Sequence, residues 1–298
     1  MKVWLMETRP QFLILTPICF SLGLAVAFSE GHLNALNALL GLLGSTLAHI
    51  SVNVLNDYFD YRSGLDLRTR RTPFSGGSGI LPAGLLPPWG VYLLGVTSLL
   101  LGASIGVYFI LTLGWQLIPL IAAAGATIYL YTTHLARWYL GELSAGLGFG
   151  PFMVLGAYFT QTGSYSLNAL VPSIVPGILV ATLLFLNEFP DMEVDREAGR
   201  RNLVILLGRR RAARVYVLLI LSAYLSAISG VLLGFMPWTA LLSLFTLPIA
   251  LKAVRGTLEY FNEVEKLIPA LAANVTVVLG TTALMALGIF INPLLVRA

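Results

Sequence analysis

Apolar residues come in long blocks along this chain, and polar residues gather in the short gaps between them. Nine blocks can be delimited, at about 12–28, 36–56, 89–111, 115–133, 142–161, 167–190, 214–233, 237–253 and 267–291. Each is near or above the roughly 18 residues that a helix needs to cross a hydrocarbon core. Neither alternation of period two nor a polar helical face interrupts them, so strands and surface helices of a soluble domain are disfavoured. The pattern predicts an all-α polytopic membrane protein: nine transmembrane helices bundled around a central cavity. It is read as a single domain spanning 1–298. The first block lacks a clear small-residue cleavage pattern and is read as a span, not a leader.

Composition agrees. Of 298 residues, 57% are hydrophobic and 11% charged, where soluble domains carry about 25% charged residues. Placing the N-terminus inside puts 17 of the 18 Lys and Arg on one side, with Arg297 alone opposite. The positive-inside rule makes that side cytoplasmic. Thirteen of the 14 acids fall there too, Glu30 being the exception. Acids contribute little to orientation, so their clustering asks for a chemical reason. Cys19 is the single cysteine, which excludes an intrachain disulfide and a Cys-based metal cage. His32, His49 and His134 have no metal-ligand spacing. No P-loop or dinucleotide fingerprint occurs. The net charge of +4 sits beside the membrane, where it suits phosphorylated ligands and lipid headgroups better than nucleic acid.

The acids form two similar clusters. "NDYFDYRSGLD" closes the second block with Asn56, Asp57, Asp60 and Asp66. "NEFPDMEVDREAGRRN" closes the sixth with Asn187, Asp191 and Asp195. Both follow an even-numbered span and so emerge on the same side. Their separation, 131 residues from Asp60 to Asp191, suggests two related halves, about 1–133 and 134–298. Residues at i and i+4 share a helix face, so each cluster can point its oxygens into one cavity. Pro190 is expected to kink or end its helix near Asn187. An ionised Asp stranded in hydrocarbon costs roughly 2.5–3.5 kcal/mol, and facing clusters call for counter-charge. Oxygen donors of this kind suit Mg²⁺, which bridges carboxylates to phosphates. Arg62, Arg68, Arg70 and Arg71 follow the first cluster; Arg196, Arg200 and Arg201 follow the second. Guanidinium forks match phosphate oxygens. Solvated helix caps and topology signals are the plainer reading for any one cluster.

Taken together, the two motifs resemble those of the UbiA superfamily of intramembrane prenyltransferases. "RPQFLILTP", from Arg9 to Pro17, is similar to that family's Arg-Pro entry into its first helix. "DMEVDREAGRRNLVILLG" is similar to its second motif. The five-residue gap between Asp60 and Asp66, with "SGGSGILPAG" and "LGELSAGLGFGPFMVLGAYFTQTG", resembles the 1,4-dihydroxy-2-naphthoate polyprenyltransferase (MenA) branch.

The resemblance implies Mg²⁺-dependent transfer of a polyprenyl group, for example from geranylgeranyl diphosphate, to a small aromatic acceptor in menaquinone biosynthesis. The expected metal ligands for two Mg²⁺ ions are Asn56, Asp60, Asp66, Asn187, Asp191 and Asp195. Arg9, Arg62, Arg70, Arg71, Arg196 and Arg200 are the expected diphosphate ligands, and Tyr131 is an aromatic face for the allylic cation. Catalysis is assigned to Asp60, Asp191, Asp195, Asn56, Asn187 and Tyr131. The enzyme is expected in the cell membrane with its site toward the cytoplasm, its partners being the two substrates and the bilayer. Alternatives within the fold are prenylation of 4-hydroxybenzoate or of a geranylgeranylglyceryl phosphate. From other classes come a secondary transporter, disfavoured by the nearly uncharged opposite face, and a CDP-alcohol phosphotransferase, disfavoured by the lack of one longer Asp-Gly motif.

Overall fold

A computed structural model describes residues 1–69, 72, 74 and 76–297, with the side chain of Arg297 excepted. Among the described residues every regular element is a helix, and there is no strand. The chain opens with α1 (Lys2–Glu7), then α2 (Pro10–Leu13) and α3 (Leu15–Ser29). α4 (Ala35–Ser63) begins where the Asn34 side chain accepts from the Asn37 N–H at 3.0 Å. It stops at Gly64, whose φ of 78° closes the last turn without a Cβ penalty. α5 (Pro88–Leu113) has proline in its first turn, where no N–H is needed. A 3₁₀ turn over 115–117 leads into α6 (Ile118–Leu130). α7 (Gly141–Leu147), a π-turn over 148–152 and α8 (Met153–Thr162) form one apolar unit. α9 (Leu167–Glu197), α10 (Leu203–Leu207), α11 (Arg209–Leu232), α12 (Leu247–Tyr260) and α13 (Val264–Arg297) complete the order.

Eight of these units are long and apolar enough to cross a bilayer: Pro10–Ser29, Ala35–Ser63, Pro88–Leu113, Gly141–Thr162, Leu167–Glu197, Arg209–Leu232, Trp238–Tyr260 and Val264–Val296. They coincide with eight of the nine predicted spans. The predicted span at 115–133 corresponds to the shorter apolar unit Trp115–Leu130. We read the chain as an integral membrane protein. Its outward faces carry large apolar side chains, Leu111 and Leu232 being 81% exposed. Water would penalise that surface, whereas lipid does not. Pro190 does not end its helix: α9 continues to Glu197 with Pro172, Pro176 and Pro190 inside it. Neighbouring helices can satisfy the backbone groups that proline frees in a membrane bundle.

Packing is uneven. The main core joins α3, α8, α9, α11, α12 and α13 around Leu22, Phe185, Phe189, Tyr216 and Met285. Hydroxyls inside it are satisfied locally, as where Thr182 donates to the Ile178 carbonyl at 2.7 Å and Tyr216 donates to Asn274 Oδ1 at 3.1 Å. Glu30 accepts from Tyr158 at 2.5 Å and from Asn168 at 2.9 Å, tying the end of α3 to α8 and α9. The helices α4, α5 and α6 pack outside this core and enclose empty space instead.

Small residues set the closest helix approach. A Cβ on Gly150 would lie 2.5 Å from the Gly177 Cα, and one on Gly146 would lie 2.6 Å from the Gly177 carbonyl oxygen. A Cβ on Gly148 would meet nothing within 4 Å. Of the three alternate glycines at 146, 148 and 150, two make a close approach. Gly150→Ala should therefore destabilise by about 1–3 kcal/mol through overpacking, seen as a lower thermal midpoint in detergent. Gly148→Ala should leave the midpoint unchanged, and equal effects would show that the α7–α9 contact is not the constraint.

Candidate active site

A cavity of about 1030 Å³ is bounded by α1 through α9 and by the segment that follows α4, and no described residue beyond Arg200 lines it. Both acid clusters open into it. Asn56 and Asp60 come from the last turns of α4, with Asp66 just past its cap; Asn187, Asp191 and Asp195 come from one face of α9. The helical spacing of i, i+4 and i+8 dictates that shared face. Along α4 the lining continues down to Gly41. That is about 28 Å of helix at 1.5 Å per residue, against a hydrocarbon core of about 30 Å. Its walls there are Ala48, Leu99, Ala103, Ile121, Ala124 and Ile128, among other apolar groups. The cavity is charged at one end and apolar along the rest.

Arginines hold the charged end together. Arg200 forms ion pairs with Asp60 of the first cluster and, at 3.8 Å, with Asp195 of the second. Asn202 Nδ2 donates to Asp195 Oδ2 at 3.1 Å, while its Oδ1 caps α10 by accepting from the Ile205 N–H at 2.9 Å. Asn56 Nδ2 donates to Asp60 Oδ2 at 2.9 Å and to Thr132 Oγ1 at 3.0 Å. Arg9 sits in the left-handed region at φ 55°, with Pro10 fixing the first turn of α2 behind it. Its Nη2 pairs with buried Asp57 and donates to Asn56 Oδ1 at 3.4 Å. Asp57 Oδ2 in turn accepts from the Ser78 N–H at 3.0 Å, and the Ser78 hydroxyl donates to Glu7 Oε2 at 2.8 Å. Gly77 has φ 70°, and a Cβ there would lie 2.9 Å from Asp66 Oδ2. Glycine is required at that point by conformation and by space.

Burial governs these charges. It pushes the Arg9 guanidinium below its ordinary range, and the nearby carboxylates of Asp66, Asp60 and Glu7 only partly offset it. Burial also acts to lower Arg200, but Asp60 and Asp195 outweigh it and hold that guanidinium above its ordinary range. The Glu7 carboxyl is raised by burial against the hydrogen bond from Ser78 and the charge of Arg9.

The predicted site residues do not all meet. Asn56, Asp60, Asp66, Tyr131, Asn187, Asp191, Asp195, Arg9 and Arg200 line the one cavity. Arg62 lines a smaller recess of about 390 Å³ beside it, together with Thr132 and Arg137. Arg196 is exposed and pairs with Glu193 at 3.1 Å, away from the cavity. Arg70 and Arg71 lie outside the described residues. Glu7, Ser78, Thr132, Glu188 and Asn202 join the site or its support without having been singled out. Glu188 and Asn202 stood inside the quoted second motif. Ser78 stood inside the quoted SGGSGILPAG segment, whereas Glu7 and Thr132 carried no signal, because only the tertiary fold brings them near.

The donor set fits a hard cation. Every candidate ligand offers carboxylate or amide oxygen, and the buried Asn187 Oδ1 has no hydrogen-bond partner, a cost of about 1–3 kcal/mol that coordination would remove. Among the described residues no three carboxylates or histidines come together tightly enough to enclose an ion alone. That suits Mg²⁺, whose shell is ordinarily completed by water and phosphate oxygens.

Comparison with known proteins agrees with this geometry. The pattern of the UbiA prenyltransferase family matches residues 14–266. The chain is 29% identical over 279 residues to a 2-carboxy-1,4-naphthoquinone phytyltransferase from Synechocystis, covering 89% of this chain and 85% of that protein. It is 30% identical over 254 residues to the 1,4-dihydroxy-2-naphthoate octaprenyltransferase of Bacillus subtilis, covering 84% and 80%. Among solved structures, a UbiA homologue from Aeropyrum pernix superposes with TM-score 0.64 at 18% identity, covering 88% and 96% of the chains. A homologue from Archaeoglobus fulgidus bound to DMAPP and Mg²⁺ superposes with TM-score 0.60 at 17% identity, covering 95% and 98%. The chain belongs to the UbiA prenyltransferase family.

Proposed function

We propose that this prenyltransferase moves a polyprenyl group from its diphosphate onto 1,4-dihydroxy-2-naphthoate at the cytoplasmic face of the membrane. One observation carries the reading: two distant acid clusters and two arginines open into one cavity that continues as an apolar trough along the bilayer-spanning part of α4. A polyprenyl diphosphate is divided in the same way, with a multiply charged head and a greasy tail. The acceptor is taken from the name of the Bacillus subtilis relative, the Synechocystis relative being named for the related 2-carboxy-1,4-naphthoquinone, and the side of the membrane from the positive-inside distribution of Lys and Arg.

Asp60, Asp66, Asp191 and Asp195, with the amide oxygens of Asn56 and Asn187, would hold two Mg²⁺ ions. Bound there, the metal supplies Lewis acidity toward the diphosphate oxygens. The chain's own residues do the rest. Arg9 and Arg200 place fixed positive charge where the leaving pyrophosphate gathers negative charge as the allylic C–O bond breaks. Because both are largely withdrawn from water, their fields are less screened than those of surface charges. Tyr131, Phe149 and Phe152 line the cavity and offer aromatic faces to the electron-poor allylic carbon. The apolar walls exclude water that would otherwise capture that carbon. The acceptor ring then forms the carbon–carbon bond, and its carboxylate departs as CO₂, returning the electron pair to the ring.

With purified protein in liposomes and labelled geranylgeranyl diphosphate, a panel of 1,4-dihydroxy-2-naphthoate, 4-hydroxybenzoate and geranylgeranylglyceryl phosphate should yield product from the naphthoate. Turnover of another acceptor in its place overturns the assignment. Chelation should abolish the reaction and added Mg²⁺ restore it. Asp60→Ala and Asp191→Ala should each reduce kcat by about 10²-fold or more, the scale seen when a charge-stabilising group is removed, with the thermal midpoint close to wild type. Full activity in either variant removes the metal assignment.

A further inference from the structure

The apolar stretch of the cavity is interrupted on α4. Ser45, His49, Asn53, Asn56 and Asp60 all line it, and at about 100° per residue they share an arc of about 80° on that helix. The stripe runs inward from the acid cluster, with His49 about 10 Å deeper than Asn56 at 1.5 Å per residue. Asn53 is occupied, its Nδ2 donating to the Thr8 carbonyl at 3.1 Å. The hydroxyls that other helices bring to the lining are occupied as well. Thr127 donates to the Ala123 carbonyl and Thr160 to the Ala157 carbonyl, both at 2.7 Å, and Ser144 donates to the Leu140 carbonyl. Below the acid cluster, Ser45 and His49 remain open, and of the two only His49 is held in one orientation.

The His49 imidazole is buried and fixed on two sides. Its Nδ1 lies 2.8 Å from the Thr16 hydroxyl of α3, and its ring stands edge-on to Phe149 at 4.6 Å between centroids. Phe149 belongs to the π-turn over 148–152, a distortion that recurs at functional sites. Thr16 is fully buried, and its hydroxyl has no other hydrogen-bond partner among the described residues. Were Nδ1 the donor, the Thr16 proton would be buried without an acceptor. Thr16 therefore donates to Nδ1, and the imidazole carries its own proton on Nε2. That Nε2–H has no partner among the described residues. Unlike the sealed Asn187 Oδ1, it is open to the cavity that His49 lines.

A hydrocarbon tail offers an N–H donor nothing, and covering that donor without a partner is costly. The position instead fits an occupant that carries an oxygen acceptor, and Phe149 beside it gives an aromatic ring something to pack against. We propose that His49 reads the aromatic acceptor: its Nε2–H donates to the 4-hydroxyl of 1,4-dihydroxy-2-naphthoate, the ring hydroxyl farther from the carboxylate. Charge sets the orientation. The carboxylate faces Arg9 and Arg200, the bicyclic ring extends inward from them, and the far hydroxyl meets the imidazole. An acceptor without that hydroxyl leaves the N–H unpaired, so His49 determines specificity. The inference rests on the naphthoate reading of the site and adds the residue that selects this acceptor.

Removing the donor group tests it, in liposomes with saturating geranylgeranyl diphosphate and Mg²⁺. Two quantities are read: kcat/KM for 1,4-dihydroxy-2-naphthoate, and the inhibition constant of 1-hydroxy-2-naphthoate, which lacks the 4-hydroxyl. His49→Leu should lower the first by about tenfold or more, the scale of one hydrogen bond made away from water. It should leave the second unchanged, along with KM for the prenyl diphosphate. His49→Gln, which returns an N–H at similar reach, should recover most of the loss. An unchanged kcat/KM in His49→Leu overturns the proposal. So does a parallel loss of the analogue's affinity, or a glutamine variant as poor as the leucine one, since either makes His49 a packing residue. Should the leucine variant not fold, His49→Phe keeps a ring against Phe149 without the donor and is read in the same way. A wild type that turns over no naphthoate overturns the acceptor reading and this inference together. A wild type that does so, with His49→Leu unaltered, removes the inference alone.

Discussion

Everything at the charged end of this protein depends on two carboxylate-bearing helix ends being held face to face. Asp60 on α4 and Asp195 on α9 would repel one another in a medium of low dielectric, and neither can be stabilised by bulk water. Arg200 resolves this by pairing with both. Its charge is buried, but so are its partners, and mutual attraction exceeds the desolvation that would otherwise expel it. The same logic extends outward through Asn56 to Arg9, then to Asp57 and, by way of Ser78, to Glu7. On the proposed reading, these fixed charges stand where a diphosphate head and its counter-cations would meet them.

The remaining architecture serves this arrangement by division of labour. α3 and α8 through α13 share a tightly packed core, with glycines admitting backbone contacts at Gly146, Gly150 and Gly177. α9 belongs to that core along most of its length, so the second acid cluster stands on a rigid support. α4 carries the first cluster on the border between core and cavity. α5 and α6 form the outer wall, and α6 has no buried residue. The proposed substrate, with a charged head and a long apolar tail, would need fixed charges at one end and apolar space beyond, and the cavity offers both along α4.

Much of this was legible in the chain itself. The spans were readable because a helix in lipid must satisfy its backbone internally and present apolar side chains outward, and both demands are local. Hence eight of nine predicted blocks match long helices to within a few residues, and the ninth matches the shorter unit Trp115–Leu130. The acid clusters were readable because four-residue spacing on a helix is a local geometric rule. Pro190 left two outcomes open for the complementary reason: proline removes one donor, but neighbouring helices decide whether the helix stops, and here it does not end but runs on to Glu197.

What the sequence by itself determined is therefore the helical membrane class, the positions of the helices and the oxygen-rich chemistry at the ends of α4 and α9. Only the tertiary structure decided that Arg200 and Arg9 enter the cavity while Arg196 turns outward, and that Glu7, Ser78 and Asn202 brace the site. The physical reason is range. Hydropathy and helical period act within a few turns of one segment, but which charge meets which depends on contacts between different segments, from Arg9 with Asp57 to Arg200 with Asp60, 140 residues apart.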